Sequence, residues 1–191
     1  MNAFSSDVDL MKFEPNIYGT WFLTSQVLCG GTNGIVAGAQ FTASGVDFSA
    51  VGVLPGSVIW LESADEAVKG AFELVELVDA GHLTVSRVRL GNEQNPIPIG
   101  SASGLTWRIV SYGLQGYEVL WRLSQQLNLS PGCGDADHSV DDILNPDTLR
   151  QASVFGVLTM IFTALYQGLE GQSVLNEKAE YYQWQFDRVL K

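Results

Sequence analysis

The decisive stretch of sequence is AFELVELV-DAG-HLTVSRVR, residues 71–89. Its two arms are rich in β-branched and other apolar residues, which favour strands. The three residues between the arms, 79–81, end in Gly81, which can adopt the positive φ that a short hairpin loop needs. Apolar and polar residues alternate in the second arm until the phase shifts by one residue at Val88, which is typical of a β-bulge. The stretch predicts an antiparallel hairpin.

Similar segments flank this hairpin on both sides. Further strands are predicted at residues 20–28, 35–42, 57–62 and 105–112. Turns are predicted at Cys29–Gly34 and Leu54–Gly56, where glycine and proline interrupt the apolar pattern. Six short strands at this spacing favour a small antiparallel β-barrel or sandwich. We therefore expect a β domain over residues 19–112, preceded by an N-terminal arm at residues 1–18.

Residues 113–191 carry helical periodicity and predict an α-helical domain of about three helices, so that the fold class is α+β. The first helix has apolar residues that cluster on one side: Tyr117, Leu120, Trp121, Leu123 and Leu127. The second begins at Asn145-Pro-Asp147 and is apolar almost all round, which favours burial at the centre of the domain or between subunits. The third has one apolar stripe at gaps of four, three, four and three: Leu175, Ala179, Tyr182, Phe186 and Val189.

A second set of side chains lies on another face of the third helix. Tyr181, Trp184 and Arg188 follow each other at gaps of three and four. Aromatic residues and arginine are enriched at the energetic centres of protein–protein interfaces. We expect this face to bind a partner protein; the alternative is that both stripes of the helix face one wide core.

Composition favours a folded protein that is covered by partner subunits. Hydrophobic residues make up 46% of the chain, and five tryptophans are present. Charged residues make up only 16%. The net charge is −11, with only 10 lysines and arginines. Proteins hold phosphate backbones with clustered Lys and Arg, so we expect no specific binding to nucleic acid. The longest apolar run, 154–165, is too short for a membrane span, and no signal peptide is visible, which predicts synthesis in the cytoplasm.

No catalytic, cofactor or metal site is predicted, and we expect no enzyme. Cys29 and Cys133 form no CxxC motif. The segment Gly100–Gly104 carries alanine where a nucleophile elbow needs serine. The acidic loop 135–142 begins like a calcium loop, but Val140 replaces the sixth-position glycine and Pro146 the closing glutamate. These departures favour a solvated loop over an ion site, although the spacing of its carboxylates leaves ion binding open.

Three segments resemble the head–tail connector proteins of tailed bacteriophages. The first is DFSAVGVLPG at residues 47–56, which leads into VIWL at 58–61. The second pairs GAFELV at 70–75 with LTVS at 83–86. The third combines ILNP at 143–146, LRQASVF at 149–155 and KAEYY at 178–182. One position departs from the family pattern, because Ser57 stands where that pattern prefers aspartate.

This resemblance implies a virion structural protein at the head–tail junction. It implies a homo-oligomeric ring, commonly a dodecamer, that contacts a portal protein and tail or stopper proteins. DNA would pass through the ring without specific binding, and neither a cofactor nor a catalytic residue is implied. A tail-side or head-completion ring is a neighbouring interpretation. The alternatives from other classes are a ligand-binding module, with Trp21, Trp60 or Trp107 exposed in a groove, and a hydrolase that uses Cys133 or the acidic loop.

Overall fold

A computed structural model describes residues 3–91, 93–168 and 173–191. By the contacts between residues, the chain divides into two compact units. The first comprises residues 7–111, and the second joins residues 112–191 to the chain's first residues up to Ser6. The segment expected as an N-terminal arm is therefore shared between the units, and helix α1 (Asp7–Phe13) lies with the first.

The first unit contains a closed antiparallel barrel of six strands. The strands are β1 (Val27–Gly38), β2 (Gln40–Thr42), β3 (Val58–Glu62), β4 (Lys69–Asp79), β5 (His82–Ser86) and β6 (Gly100–Val110). Their order around the barrel is β1-β2-β5-β4-β3-β6, and β6 closes the barrel by pairing with β1 from Gly38↔Gly100 to Val27↔Val110. The predicted barrel is confirmed, as is the hairpin of β4 and β5.

Aromatic side chains fill the interior of the barrel. The Trp107 ring meets the rings of Phe41 and Phe48 edge-on, at centroid distances of 5.6 and 5.7 Å. All three side chains are buried, and the Trp107 indole Nε1 donates to Asn33 Oδ1 at 3.2 Å. This hydrogen bond pairs the one polar atom of the indole, which would be costly to bury alone. The interior of the barrel is thus filled by packed side chains.

The start of the barrel differs from the sequence prediction. No strand covers residues 20–26, which contain only a 3₁₀ turn at Thr24–Gln26, so the strand predicted at 20–28 is wrong. The predicted turn at 29–34 lies inside β1. Glycine is needed there because a Cβ atom on Gly34 would come within 2.8 Å of both Phe41 Cε2 and Trp107 Cδ1. The reversal of the chain falls instead between Gly38, whose φ is +65°, and Gln40.

The second unit contains three helices: α2 (Gly113–Gln126), α3 (Arg150–Gly168) and α4 (Ser173–Val189). The Asn145 side chain accepts from the Asp147 amide at 3.2 Å and begins a 3₁₀ turn, Pro146–Leu149, that leads into α3. Helix α3 packs against both α2 and α4. The stretch Pro146–Gly168 is long and apolar enough to cross a membrane by length and composition alone. Most of α3 is buried within the protein, however, as the central helix of a folded unit would be.

The three helices meet at Gly156 of α3. A Cβ atom there would lie 2.9 Å from Val119 Cγ1 of α2 and 3.0 Å from Phe186 Cε2 of α4. On α4, the Tyr182 ring stacks on Phe162 of α3 at 5.8 Å with an interplanar angle of 7°. The core of this unit therefore depends on a glycine that lets two helices approach a third closely.

Candidate partner-binding surface

Helix α4 has one buried face. Its buried residues are Leu175, Ala179, Tyr182 and Phe186. Val189, which the sequence pattern placed on the same stripe, is 39% exposed. The buried stripe therefore lacks its last predicted residue, Val189, because the helix ends there.

The predicted second face of α4 is exposed. The Tyr181 side chain is 52% exposed and the Trp184 side chain 55%. Arg188 is also exposed, and its guanidinium carbon lies 5.4 Å from the centroid of the Trp184 ring. The interpretation in which both stripes face one core is wrong, since helical spacing turns these residues away from the buried side. We call Tyr181, Trp184 and Arg188 the α4 stripe.

Contacts among neighbouring side chains hold the α4 stripe in place. Gln185 Nε2 donates to the Tyr181 hydroxyl at 2.9 Å, and the Tyr181 ring meets Tyr182 edge-on at 5.1 Å. A guanidinium over an indole ring is attracted by the negative face of the ring. Large aromatic side chains that are held before binding lose little conformational entropy when a partner covers them.

A second exposed stripe, which was not predicted from the sequence, lies on α2. Leu114 is 74% exposed, Tyr117 49% and Trp121 50%. The sequence pattern placed Tyr117 and Trp121 on the same side as Leu120 and Leu123, but only the latter two are buried. The signal was present: Leu114, Tyr117 and Trp121 follow at gaps of three and four. We call these three residues the α2 stripe.

In the barrel unit, a buried ion pair holds the segment after β5. Arg89 Nη2 lies 2.6 Å from Glu73 Oε1 of β4, and Arg89 Nε donates to Glu73 Oε2 at 3.1 Å. Arg89 Nη1 also donates to the Gln94 carbonyl oxygen at 2.6 Å. The pKa of Arg89 is raised, chiefly by its hydrogen bonds to Glu73. The neighbouring Leu90 side chain is 95% exposed, so this fixed segment displays an apolar residue at the surface.

The acidic loop is organised by hydrogen bonds within itself. The Asp142 carboxylate accepts from the Ser139 amide at 2.7 Å, and Ser139 Oγ accepts from the Asp141 amide at 3.2 Å. The hydrogen bond from the Ser139 amide is the main reason why the pKa of Asp142 is lowered. Among the described residues, no three His, Cys, Asp or Glu side chains are placed to hold a metal ion.

The cysteines and histidines show no nucleophilic arrangement within the described parts of the chain. Burial raises the pKa of the Cys29 thiol to about 11, so this thiol is protonated at neutral pH. His82 Nδ1 lies 2.7 Å from Asp79 Oδ1 at the exposed β4–β5 turn. Cys133 Sγ lies 3.7 Å from the Gln125 carbonyl oxygen. The His82 contact belongs to a turn, and the Cys133 contact lies at the end of a helix.

Within the residues that the structure describes, the barrel offers no tryptophan-lined groove for a ligand. Trp107 is 3% exposed and fills the barrel, while Trp60 is 8% exposed. A Cβ atom on Gly19 would lie 2.5 Å from the Trp60 ring, so the segment before β1 covers that ring. Trp21, which is partly exposed, belongs to the same covering segment.

Comparison with protein-family models, with curated proteins and with solved structures found no match to this chain.

Proposed function

We propose that this chain is a structural protein of a tailed-phage virion, an adaptor that forms a ring between portal and tail around the DNA channel. The observation that carries the proposal is the α4 stripe, on which two half-exposed aromatic side chains and an arginine lie together. The resemblance to head–tail connectors supplies the biological setting, and it rests on residues 47–56 with 58–61, 70–75 with 83–86, and 143–146 with 149–155 and 178–182.

The helical unit is the proposed site of ring contact. Aligned exposed aromatic residues lie on α2 and α4, opposite the faces that bury Val119 and Phe186, and α3 carries a single further one, Tyr166. Scattered exposed apolar residues are ordinary, whereas aligned aromatic side chains on a helix are typical of interaction surfaces. The barrel contributes a body with a filled core, and its most exposed apolar residues, Leu54 and Leu90, lie in loops.

The charge suits a protein that lets DNA pass. The chain carries 21 acidic and 10 basic residues, and an excess of negative charge repels a phosphate backbone. A tail-side or head-completion ring would use the same surfaces and the same charge. The two placements differ in the neighbour that is bound, either the portal or a tail or stopper protein.

The test is the substitution Trp184→Ala, measured by native mass spectrometry of the chain alone and with a portal ring. We expect loss of assembly or of portal docking, since truncating an aromatic residue at an interface centre costs about 2 kcal/mol or more. Leu90→Ala is the matched control, because it removes an exposed apolar side chain from the barrel unit. Normal assembly of the Trp184→Ala protein would contradict the proposed surface.

Two further measurements complete the test. Circular dichroism must show that the Trp184→Ala protein is folded, because an unfolded variant would place Trp184 in the core. An anisotropy titration with duplex DNA should show no binding at micromolar protein. Binding that weakens steeply as the salt concentration rises would mean that the chain binds the phosphate backbone of DNA, and it would contradict the channel role.

A further inference from the structure

The α2 stripe and the α4 stripe lie on two different helices of the same unit. Each stripe lies on the side of its helix opposite the residues that are buried against the shared core, and both helices pack on α3 near Gly156. Both stripes are therefore exposed to a neighbour. A closed ring with a heterologous contact needs two different patches on each subunit, one for each neighbour.

We infer that the contact between subunits joins the α4 stripe of one copy to the α2 stripe of the next copy. The inference rests on the proposed ring function and names the two faces that meet. Both stripes have members at gaps of three and then four, and each extends for about 10 Å along its helix at 1.5 Å per residue. Stripes of equal length and spacing can interleave when two helices lie side by side.

Charge complements this pairing. Around the α4 stripe, Glu177, Glu180 and Asp187 are exposed, so the stripe suits a partner face that offers a cation. On α2, Glu118 and Arg122 flank the stripe, and they are joined by a long contact of 3.6 Å between half-exposed groups. Such an exposed pair is weak and can exchange partners, so that Arg122 meets the acids of α4 and Glu118 meets Arg188.

The area of the stripes fits the centre of an interface. An aromatic side chain buries about 150–250 Å², so the four half-exposed aromatic side chains leave about 400 Å² for a contact. A stable interface buries about 1,600 Å² in total, of which a central cluster carries most of the binding energy. The two stripes supply that cluster, and the charged residues beside them supply the rim.

The test is a mixing experiment with Trp121→Arg, which disables the α2 stripe, and Trp184→Arg, which disables the α4 stripe. Each variant alone should lose association by about thirtyfold or more, as expected for an interface centre. An equimolar mixture keeps one intact junction, because the first variant has a normal α4 stripe and the second a normal α2 stripe. We therefore expect the mixture to form a one-to-one dimer and nothing larger. Leu144→Arg, at an exposed loop position of the same unit, is the matched control and should assemble like the unchanged chain.

The outcomes separate this contact from the proposed function. If the unchanged chain forms rings while the mixture stays monomeric, or if Trp121→Arg assembles normally, the α4–α2 contact is wrong and the ring remains. If the unchanged chain forms no assembly at any concentration, alone or with a portal ring, the adaptor function fails and the contact fails with it. Circular dichroism of each variant shows that lost association does not reflect unfolding.

Discussion

Arg89 and Glu73 form a two-pronged ion pair that is almost completely buried, with side chains 7% and 6% exposed. Arg89 follows β5 and Glu73 lies in the middle of β4, so the pair ties the segment after the barrel strand back to the barrel wall. The main-chain carbonyl of Gln94 accepts a third hydrogen bond from Arg89. The segment that displays Leu90 is thereby fixed to the strand beside it.

Replacing one partner of this pair should strongly destabilise the barrel unit. We expect Arg89→Met to lower the free energy of unfolding by about 3–5 kcal/mol, because it leaves the Glu73 carboxylate buried without its cation. The double variant Glu73→Leu, Arg89→Met should cost less than the sum of the two single changes. Urea unfolding of all three proteins measures this. Lys69→Met, which breaks the exposed pairs with Glu62 and Glu66, is the control and should lower the free energy of unfolding far less. Equal effects of Arg89→Met and Lys69→Met would show that burial does not matter here.

Gly156→Ala should destabilise the helical unit although alanine favours helices. The gain in helix propensity is about 1 kcal/mol, whereas the new methyl group would lie within about 3 Å of Val119 and Phe186, and such overpacking costs about 1–3 kcal/mol. Thermal unfolding followed by circular dichroism measures the net change. Gly168→Ala is the control, because nothing lies near its added methyl group, and it should be neutral or stabilising. A stabilised Gly156→Ala protein would mean that the three helices pack less closely.

The acidic loop should behave as a connection. Replacing Asp135, Asp137 and Asp141 together by Asn should leave the melting temperature nearly unchanged, because none of these carboxylates caps the 3₁₀ turn. Asp142→Ala is the contrasting variant, since it removes the acceptor of the Ser139 amide. A rise in melting temperature with calcium that disappears in the triple variant would instead identify an ion site.

The Asp142 cap should be sensitive to acid. Its pKa is lowered from the ordinary 3.8, so the cap is present above that pH and is lost as the pH falls through the lower folded value. The chemical shift of the Ser139 amide should titrate with a midpoint below 3.8. A midpoint at or above 3.8 would show that the hydrogen bond does not favour the charged carboxylate.

The Cys29 thiol should resist alkylation. With a pKa of about 11, roughly one thiol in a thousand is ionised at pH 8, and the thiolate is the reactive form. Because the folded pKa lies above the ordinary 9.0, the contribution of Cys29 to stability is constant below pH 9 and is lost as the pH rises through about 11. Mass spectrometry after iodoacetamide treatment measures the labelling, and Cys29→Ala, which leaves Cys133, is the control. Fast labelling of Cys29 at pH 8 would contradict its burial.

The sequence by itself determined the elements whose pattern is local. Residues 71–89 predicted the β4–β5 hairpin, because alternation around a glycine-containing turn depends on neighbours along the chain. The apolar stretch that became α3 and the two faces of α4 followed from helical spacing in the same way. The fold class, a small antiparallel barrel followed by helices, was therefore within reach of sequence alone.

Only the tertiary structure decided the features that depend on distant residues. The glycines of β1 are typical of a turn by sequence, and only the fold shows that Trp107 of the distant strand β6, together with Phe41, occupies the space that side chains there would need. The α2 stripe became visible only when packing showed which side of α2 is buried. The Glu73–Arg89 pair joins residues that no local pattern connects. Periodicity shows which face of each segment is buried. Which element covers that face is decided by the closure of the barrel and by the packing of three helices at Gly156.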